Sequence, residues 1–172
     1  MASTTKTSIV IKARKEKEMA SDDILASMSG CSGQRCMAAS AMVGVGEIQE
    51  VIDKLVMKAK KMIPGENLGS VISKNALLRI KKYIDEAEKN GAKILLDGRR
   101  VKVKGKEKGY FIGPTIIDNV TPDMKIAKEE VFGPVLAIMR TNEIDEAIKI
   151  ENRSNFGNAS SVYTQDGKLA DY

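Results

Sequence analysis

Histidine and tryptophan are absent from the 172 residues, and cysteine occurs only twice. Without histidine the chain holds no Ser-His-Asp triad, no Cys-His dyad and no imidazole metal site. Two cysteines cannot build a disulfide framework, which points to a reducing compartment: the cytoplasm, with the mitochondrial matrix as the alternative. Cys31 and Cys36, with no other soft ligand nearby, do not make a zinc site. Aromatic residues are 4% of the chain, so few rings are available to stack bases. Basic residues exceed acidic ones by 28 to 23, for a net charge of +5, but acids are interleaved almost everywhere among them. That pattern is a solvated lysine-rich surface rather than a nucleic-acid stripe. No apolar run approaches the ~18 residues that a membrane span needs. What is present, 42% hydrophobic and 30% charged residues, suits one folded domain with a real core.

Chemistry concentrates in Gly30-Cys31-Ser32-Gly33-Gln34-Arg35-Cys36-Met37. Glycines let a loop turn where a Cβ would clash, so that a side chain can stand out at a loop-to-element junction. The small residues after Cys36 predict a helix N-terminus there, where backbone N–H groups favour a thiolate, and Arg35 adds a positive charge. These features suit Cys36 as a nucleophile. An inert cysteine packed as a small hydrophobe satisfies the same pattern.

In chain order, Ser8–Ala13 reads as a buried strand, although Met1–Arg14, without acids, has something of a transit peptide. After a charged connector at Arg14–Glu18, Met19, Ile24, Leu25 and Met28 predict an amphipathic helix closed by Gly30. Ala41–Val45 is a strand and Ile48–Met62 a helix with Val51, Ile52, Leu55, Val56 and Ala59 on one face. Their junction, Gly44-Val-Gly46-Glu-Ile-Gln49, fails the dinucleotide fingerprint because Gln49 stands at the third glycine. Ser73 caps a helix running to Asn90, with Leu77, Ile80, Ile84 and Ala87 inward and Gly91 past its end. Strands follow at Ala92–Asp97 and Gly109–Asp118, flanking a basic ribbon at Arg99–Lys108. Thr121-Pro122 opens a short helix by cap and N1 proline. Val135–Met139 is a strand, Ile144–Ile150 a helix, Ser160–Thr164 a strand, and Lys168–Tyr172 one helical turn. The alternation predicts an α/β fold: a mostly parallel, doubly wound sheet with one antiparallel ribbon near Asp97–Gly109.

Gly33-Gln34-Arg35-Cys36 resembles the active-site cysteine motif of the aldehyde dehydrogenase superfamily. The surrounding Gly30–Ala38 is closest to its CoA-acylating methylmalonate-semialdehyde dehydrogenase branch. A second signature of that family, Glu-x-Phe-Gly-Pro, matches Glu130-Val131-Phe132-Gly133-Pro134 downstream. Between the two, Gly109-Tyr-Phe-Ile-Gly-Pro-Thr115 is similar to a family segment. Departures occur at Thr4-Thr5, where the family has paired glycines before the lysine matched by Lys6, and at Leu68-Gly69-Ser70, where it has Leu-Gly-Pro. The glutamate base of hydrolytic members would fall near Ala2, where this chain has no glutamate, and the CoA-acylating branch also lacks that base.

The resemblance implies an NAD-linked oxidation of a small aldehyde or semialdehyde through a Cys36 thioester, with CoA or water as acyl acceptor. It implies that the Cys36 backbone N–H helps to hold the oxyanion, that Glu130 holds the nicotinamide ribose and that Phe132 packs against the cofactor. Arg35 either faces a substrate carboxylate or makes a structural salt bridge. Residues 1–172 correspond to a catalytic-domain fragment, the cofactor-binding domain and the C-terminal strands lying outside the match. The isolated chain is then expected to be inactive and to self-associate through its sheet edge. The alternative is a non-catalytic relic or excised domain that serves as a binding or assembly module.

Overall fold

The computed structural model describes residues 7–12, 17–155, 159–164 and 166–170. Ala2, Thr4-Thr5, Lys6 and the start of the Arg14–Glu18 connector lie outside these residues. The chain runs β1 (Thr7–Lys12), α1 (Lys17–Ser29), β2 (Ala39–Val45), α2 (Gln49–Ala59), α3 (Lys74–Lys89), β3 (Lys93–Leu96), β4 (Thr115–Asp118), α4 (Lys125–Lys128), β5 (Val135–Thr141), α5 (Ile144–Asn152), β6 (Ala159–Thr164) and α6 (Gly167–Ala170). The strands form one sheet in the order β3-β4-β5-β2-β1-β6. Every pairing in it is parallel except β3 with β4.

Period-two alternation on β5 divides the core. Val135, Ala137 and Met139 join Ile80, Tyr83, Ile84 and Ala87 of α3, Ile126 of α4 and Ala147 of α5. Leu136 and Ile138 face the other way, against Ala20, Ile24 and Met28 of α1 and Val51, Ile52, Leu55 and Ala59 of α2. Helices thus cover both faces, and each fully buried Ile, Leu or Met contributes about 1.5–3 kcal/mol. β2 is buried at every position, as a central parallel strand requires. The expected stripes of α2 and α3 are present, and the Ser73 Oγ accepts from Ala76 N at 3.1 Å.

α1 differs from its expected register. Ala20, Ser21, Ile24 and Met28 point inward, and Met19 is 52% exposed. Small residues on the inward face let α2 approach, and charged side chains tie the two helices together. Glu18 meets Lys54 at 2.7 Å and Lys58 at 2.8 Å, and Asp22 meets Lys58 at 2.6 Å. Hydrogen bonds from these two lysines hold the Glu18 carboxyl at about 2.

The antiparallel pair consists of β3 and β4, on either side of the basic segment rather than within it. Residues 97–114 form a loop whose lysines have no core to alternate against. The loop is drawn together where Gly113 N donates to Gly98 O at 3.0 Å, and Arg99 binds Asp85, Glu88 and Asp97 at 2.6–2.8 Å. Thr121-Pro122 opens a turn, with Met124 N on Thr121 O at 3.1 Å, and the helix begins only at Lys125. No helix among the described residues is long and apolar enough to cross a membrane.

Because β4, β5 and β2 are parallel neighbours, the segments leading into them reach the same edge of the sheet. Two of these segments are the Cys36 loop and the Glu130–Pro134 stretch.

Candidate active site

α1 gives way at Gly30 to a tight turn in which Cys31 (φ 52°, ψ 33°) and Ser32 (φ 56°, ψ 37°) are both left-handed. Gly33 follows at φ 68°. Non-glycine residues are disfavoured there by about 1–2 kcal/mol each, so the surroundings must enforce the turn. Ser32 Oγ donates to Gly69 O at 2.8 Å, and Gln34 N donates to Cys31 O at 3.1 Å. The Gln34 side chain bridges to the neighbouring loop, accepting from Ile72 N at 2.8 Å and donating to Ser70 O at 3.2 Å. Strain held in place by over-determined contacts is characteristic of functional loops.

Cys36 does not stand at a helix N-terminus. Ala38 N donates to Arg35 O at 3.1 Å, closing a turn that runs directly into β2. The small residue Ala38 is buried and Ala39 and Ser40 are buried as strand, so tertiary packing overrides their helical propensity, and no helix dipole acts on the thiol. Cys31 and Cys36 are both exposed, and neither is in a disulfide. The Arg35 guanidinium turns back across Gly30 and donates to Ala26 O at 3.1 Å and Ser27 O at 3.4 Å. It thereby caps the last carbonyls of α1.

The second motif enters from α4. Val131 is buried, Phe132 is half-buried and left-handed at φ 52°, and Gly133 and Pro134 are buried before β5 begins. Its contact with the first motif is backbone on backbone. A Cβ placed on Gly33 would stand 2.1 Å from Gly133 O and 2.8 Å from Pro134 N. Glycine at position 33 therefore serves two needs, a positive φ and a close approach.

The structure divides the acidic pair. Glu129 accepts from the Tyr83 hydroxyl and lies 3.8 Å from Lys125. Glu130 accepts from Arg79 through its backbone carbonyl at 3.2 Å. Among the described residues nothing donates a hydrogen bond to its half-buried carboxylate. Burial pushes the Glu130 carboxyl above its ordinary range, and the Arg79 charge opposes this. An acceptor held this way is available to a ligand's hydroxyls.

Sequence reasoning named Cys36, Arg35, Glu130 and Phe132 but missed the clamp made by Ser32, Gln34 and Gly69. The only sequence signal for it was a pair of small or polar loops of no evident purpose. No group of His, Cys, Asp and Glu among the described residues could hold a metal ion. At the failed dinucleotide fingerprint, Gln49 binds Asp53 at 2.8 Å and Arg140 at 2.7 Å.

The chain matches the model of the aldehyde dehydrogenase family over residues 3–172. It is 46% identical over 160 residues to methylmalonate-semialdehyde/malonate-semialdehyde dehydrogenase [acylating], mitochondrial, of Rattus norvegicus, which covers 90% of this chain and 30% of that protein. It is 45% identical over 167 residues to the corresponding probable enzyme of Anopheles gambiae, covering 94% of this chain and 32% of that one. Methylmalonate-semialdehyde dehydrogenase from Oceanimonas doudoroffii superimposes with a TM-score of 0.91 at 34% identity, over 98% of this chain and 36% of that chain. A putative enzyme of the same name from Sinorhizobium meliloti 1021, complexed with NAD, gives 0.91 at 36% identity, again over 98% and 36%. The chain spans about a third of the length of these relatives.

Proposed function

Since the chain belongs to the aldehyde dehydrogenase family, we propose that its 172 residues act as one catalytic-domain unit in the NAD-dependent oxidation of a short semialdehyde. The observation that carries this reading is the packing of Gly33 on Gly133 and Pro134, which joins the Cys36 loop to the loop of Glu130 and Phe132.

The exposed Cys36 thiolate attacks the carbonyl carbon; the S–C bond forms as the carbonyl π pair moves to oxygen. The Cys36 backbone N–H is the proposed donor to that oxyanion. Collapse of that oxyanion to a carbonyl, as the aldehyde C–H bond breaks and its hydride leaves to a two-electron acceptor, puts the acyl group on Cys36 as a thioester, which CoA or water resolves; the word "acylating" in the relatives' names favours CoA. NAD, when bound, supplies the two-electron acceptor for such an oxidation. The residues present fit it: the Glu130 carboxylate, without a described donor, offers two oxygens to a ribose diol, and Phe132, two residues on, offers a half-buried ring. Arg35 anchors the loop to α1 and reaches a substrate carboxylate only with donors that Ala26 and Ser27 leave unused. The relatives' mitochondrial names favour the matrix as the reducing compartment. Self-association through the β6 edge, where Val162 is exposed, belongs to the same proposal.

The test is a chimera in which this chain replaces the matching third of the rat relative, assayed by NADH absorbance with malonate semialdehyde and CoA. Turnover that vanishes in Cys36→Ala is the expected result. An intact, folded chimera with undiminished turnover in that variant would overturn the assignment. The alkylation rates of the two thiols in the 172-residue chain provide a second measurement. Iodoacetamide should modify Cys36 faster than Cys31, and equal slow rates would also overturn it.

A further inference from the structure

Three residues within about one turn of α3 grip the stretch that carries Glu130. Arg79 donates to Glu130 O at 3.2 Å, and the Tyr83 hydroxyl donates to the Glu129 carboxylate. Between them Ile80 fills the space beside Gly133, where a Cβ would stand 2.5 Å from the Ile80 Cδ1. Arg79 and Tyr83, at i and i+4, are neighbours on the helix surface. The Tyr83 ring is 8% exposed and belongs to the core with Ile80, Ile84 and Ala87, so packing fixes where its hydroxyl stands. Burial and the bond to Glu129 raise the Tyr83 phenol above its ordinary range, against the Arg79 charge, and keep it a donor at neutral pH. Lys125 closes the arrangement, 3.8 Å from the Glu129 carboxylate and 5.5 Å over the Tyr83 ring. Glu130 is thus held between the pinned side chain of Glu129 and its own pinned carbonyl, its carboxylate left without a described donor.

We propose that Tyr83, acting through Glu129, is a positioning residue for the Glu130 carboxylate, setting how it meets the hydroxyls of the cofactor's ribose; the inference rests on Glu130 being the ribose acceptor of the proposed function. A hydrogen bond from a fixed phenol to a carboxylate is charge-assisted and directional. Removing the phenol oxygen releases Glu129, and the neighbouring Glu130 must then be ordered as the ligand arrives, a cost taken from affinity. Acting from behind Glu129, Tyr83 contributes only through Glu130.

The experiment uses the folded chimera, with NADH binding followed by fluorescence titration and kinetics measured beside it. Tyr83→Phe keeps the ring under Lys125. It should raise the dissociation constant about tenfold, the lower end of what a hydrogen bond to a charged group is worth. KM for NAD should rise alike, with KM for the semialdehyde and the rate of Cys36 alkylation unchanged. Glu129→Ala should repeat the loss, and Glu129→Gln, whose amide oxygen still accepts, should recover most of it. The deciding measurement is the double variant: in a Glu130→Ala background, Tyr83→Phe should change NADH binding by less than about twofold. Undiminished binding in Tyr83→Phe, or losses that multiply in the double variant, would overturn the positioning role. If Tyr83→Phe fails to fold, the Glu129 pair decides, and equal losses in both variants, or none in either, would overturn it. Full NADH affinity in Glu130→Ala would instead sink the ribose assignment beneath it.

Discussion

Gly33→Ala tests whether the join between the two motifs matters. The new Cβ must adopt φ 68°, at about 1–2 kcal/mol. It would also stand 2.1 Å from Gly133 O, whereas carbon and carbonyl oxygen ordinarily approach no closer than ~3.3 Å. The obstacle is main chain and cannot swing aside: Gly133 O accepts from Val135 N at 2.8 Å, and Pro134 O accepts from Thr115 N at 2.9 Å. The loops must therefore separate by about 1 Å, an overpacking that costs about 1–3 kcal/mol more. Gly46→Ala isolates the backbone contribution, because Gly46 has φ 70° and nothing within 4 Å of the added Cβ. Urea unfolding should show Gly33→Ala destabilised beyond Gly46→Ala by about 1–3 kcal/mol. A displacement of that size also moves Cys36, and misplacing a reacting group by ~1 Å can cost about 10²-fold in rate. In the chimera, Gly33→Ala should therefore lose turnover far out of proportion to its unfolded fraction. Equal midpoints for the two variants, with wild-type turnover in Gly33→Ala, would refute the argument.

Glu130 has a folded-state pKa raised by burial, so its ionisation works against the fold at high pH, and the penalty fades as pH falls through that pKa towards the unfolded value. Glu130→Gln should thus match or exceed wild-type stability at about pH 8, lose any advantage near pH 4, and still lower turnover in the chimera; a clear loss of stability at the higher pH would refute this. Asp118 is 5% exposed and receives Arg140 Nε at 2.9 Å and an Arg140 terminal amino group at 2.7 Å. Asp118→Ala should cost about 2–3 kcal/mol in urea unfolding, below the full buried-pair penalty because the Arg140 side chain is 35% exposed; an unchanged midpoint would refute it. The 172-residue protein alone, given NAD, CoA and a short semialdehyde, should leave NADH absorbance flat, and a saturable rate absent from Cys36→Ala would show that expectation false.

Where a structural rule is local, the sequence displayed it. Ser73 as cap, Gly91 just past α3 and the spacing of Val51, Ile52, Leu55 and Ala59 each involve neighbours within a turn or two. Errors arose where tertiary packing decides. Ala38-Ala39-Ser40 has the composition of a helix start, yet sheet burial makes Ala39-Ser40 the start of β2, and with it goes the helix dipole expected at Cys36. Met19 fits a helical stripe, but the approach of α2 selects Ala20 and Ser21 for the inward face. At the site, Cys36 and Glu130 were legible as motif members. The meeting of the two motifs, at Gly33 and Gly133, depends on β2 lying beside β5, a pairing of strands far apart in sequence. The Gln34 clamp was invisible for the same reason, since its partners Ser70 and Ile72 lie beyond α2.

That the motifs meet at the amino edge of the parallel strands runs against the usual placement of ligands beyond the carboxyl ends of an open α/β sheet. The carboxyl edge explains why. There Asp118 at the end of β4 holds Arg140, and Arg140 holds Gln49 at the start of α2. Gly46 N is bound to Thr141 O at 2.8 Å. Glu50 in the first turn of α2 adds negative charge where a phosphate would need positive potential. Groups that could greet an anion are thus engaged in fastening β4, β5 and α2 together. At the opposite edge the loops carry left-handed residues, an exposed thiol and a carboxylate without a described donor. Fastening contacts and the proposed reactive groups are thus divided between the two ends of the same strands.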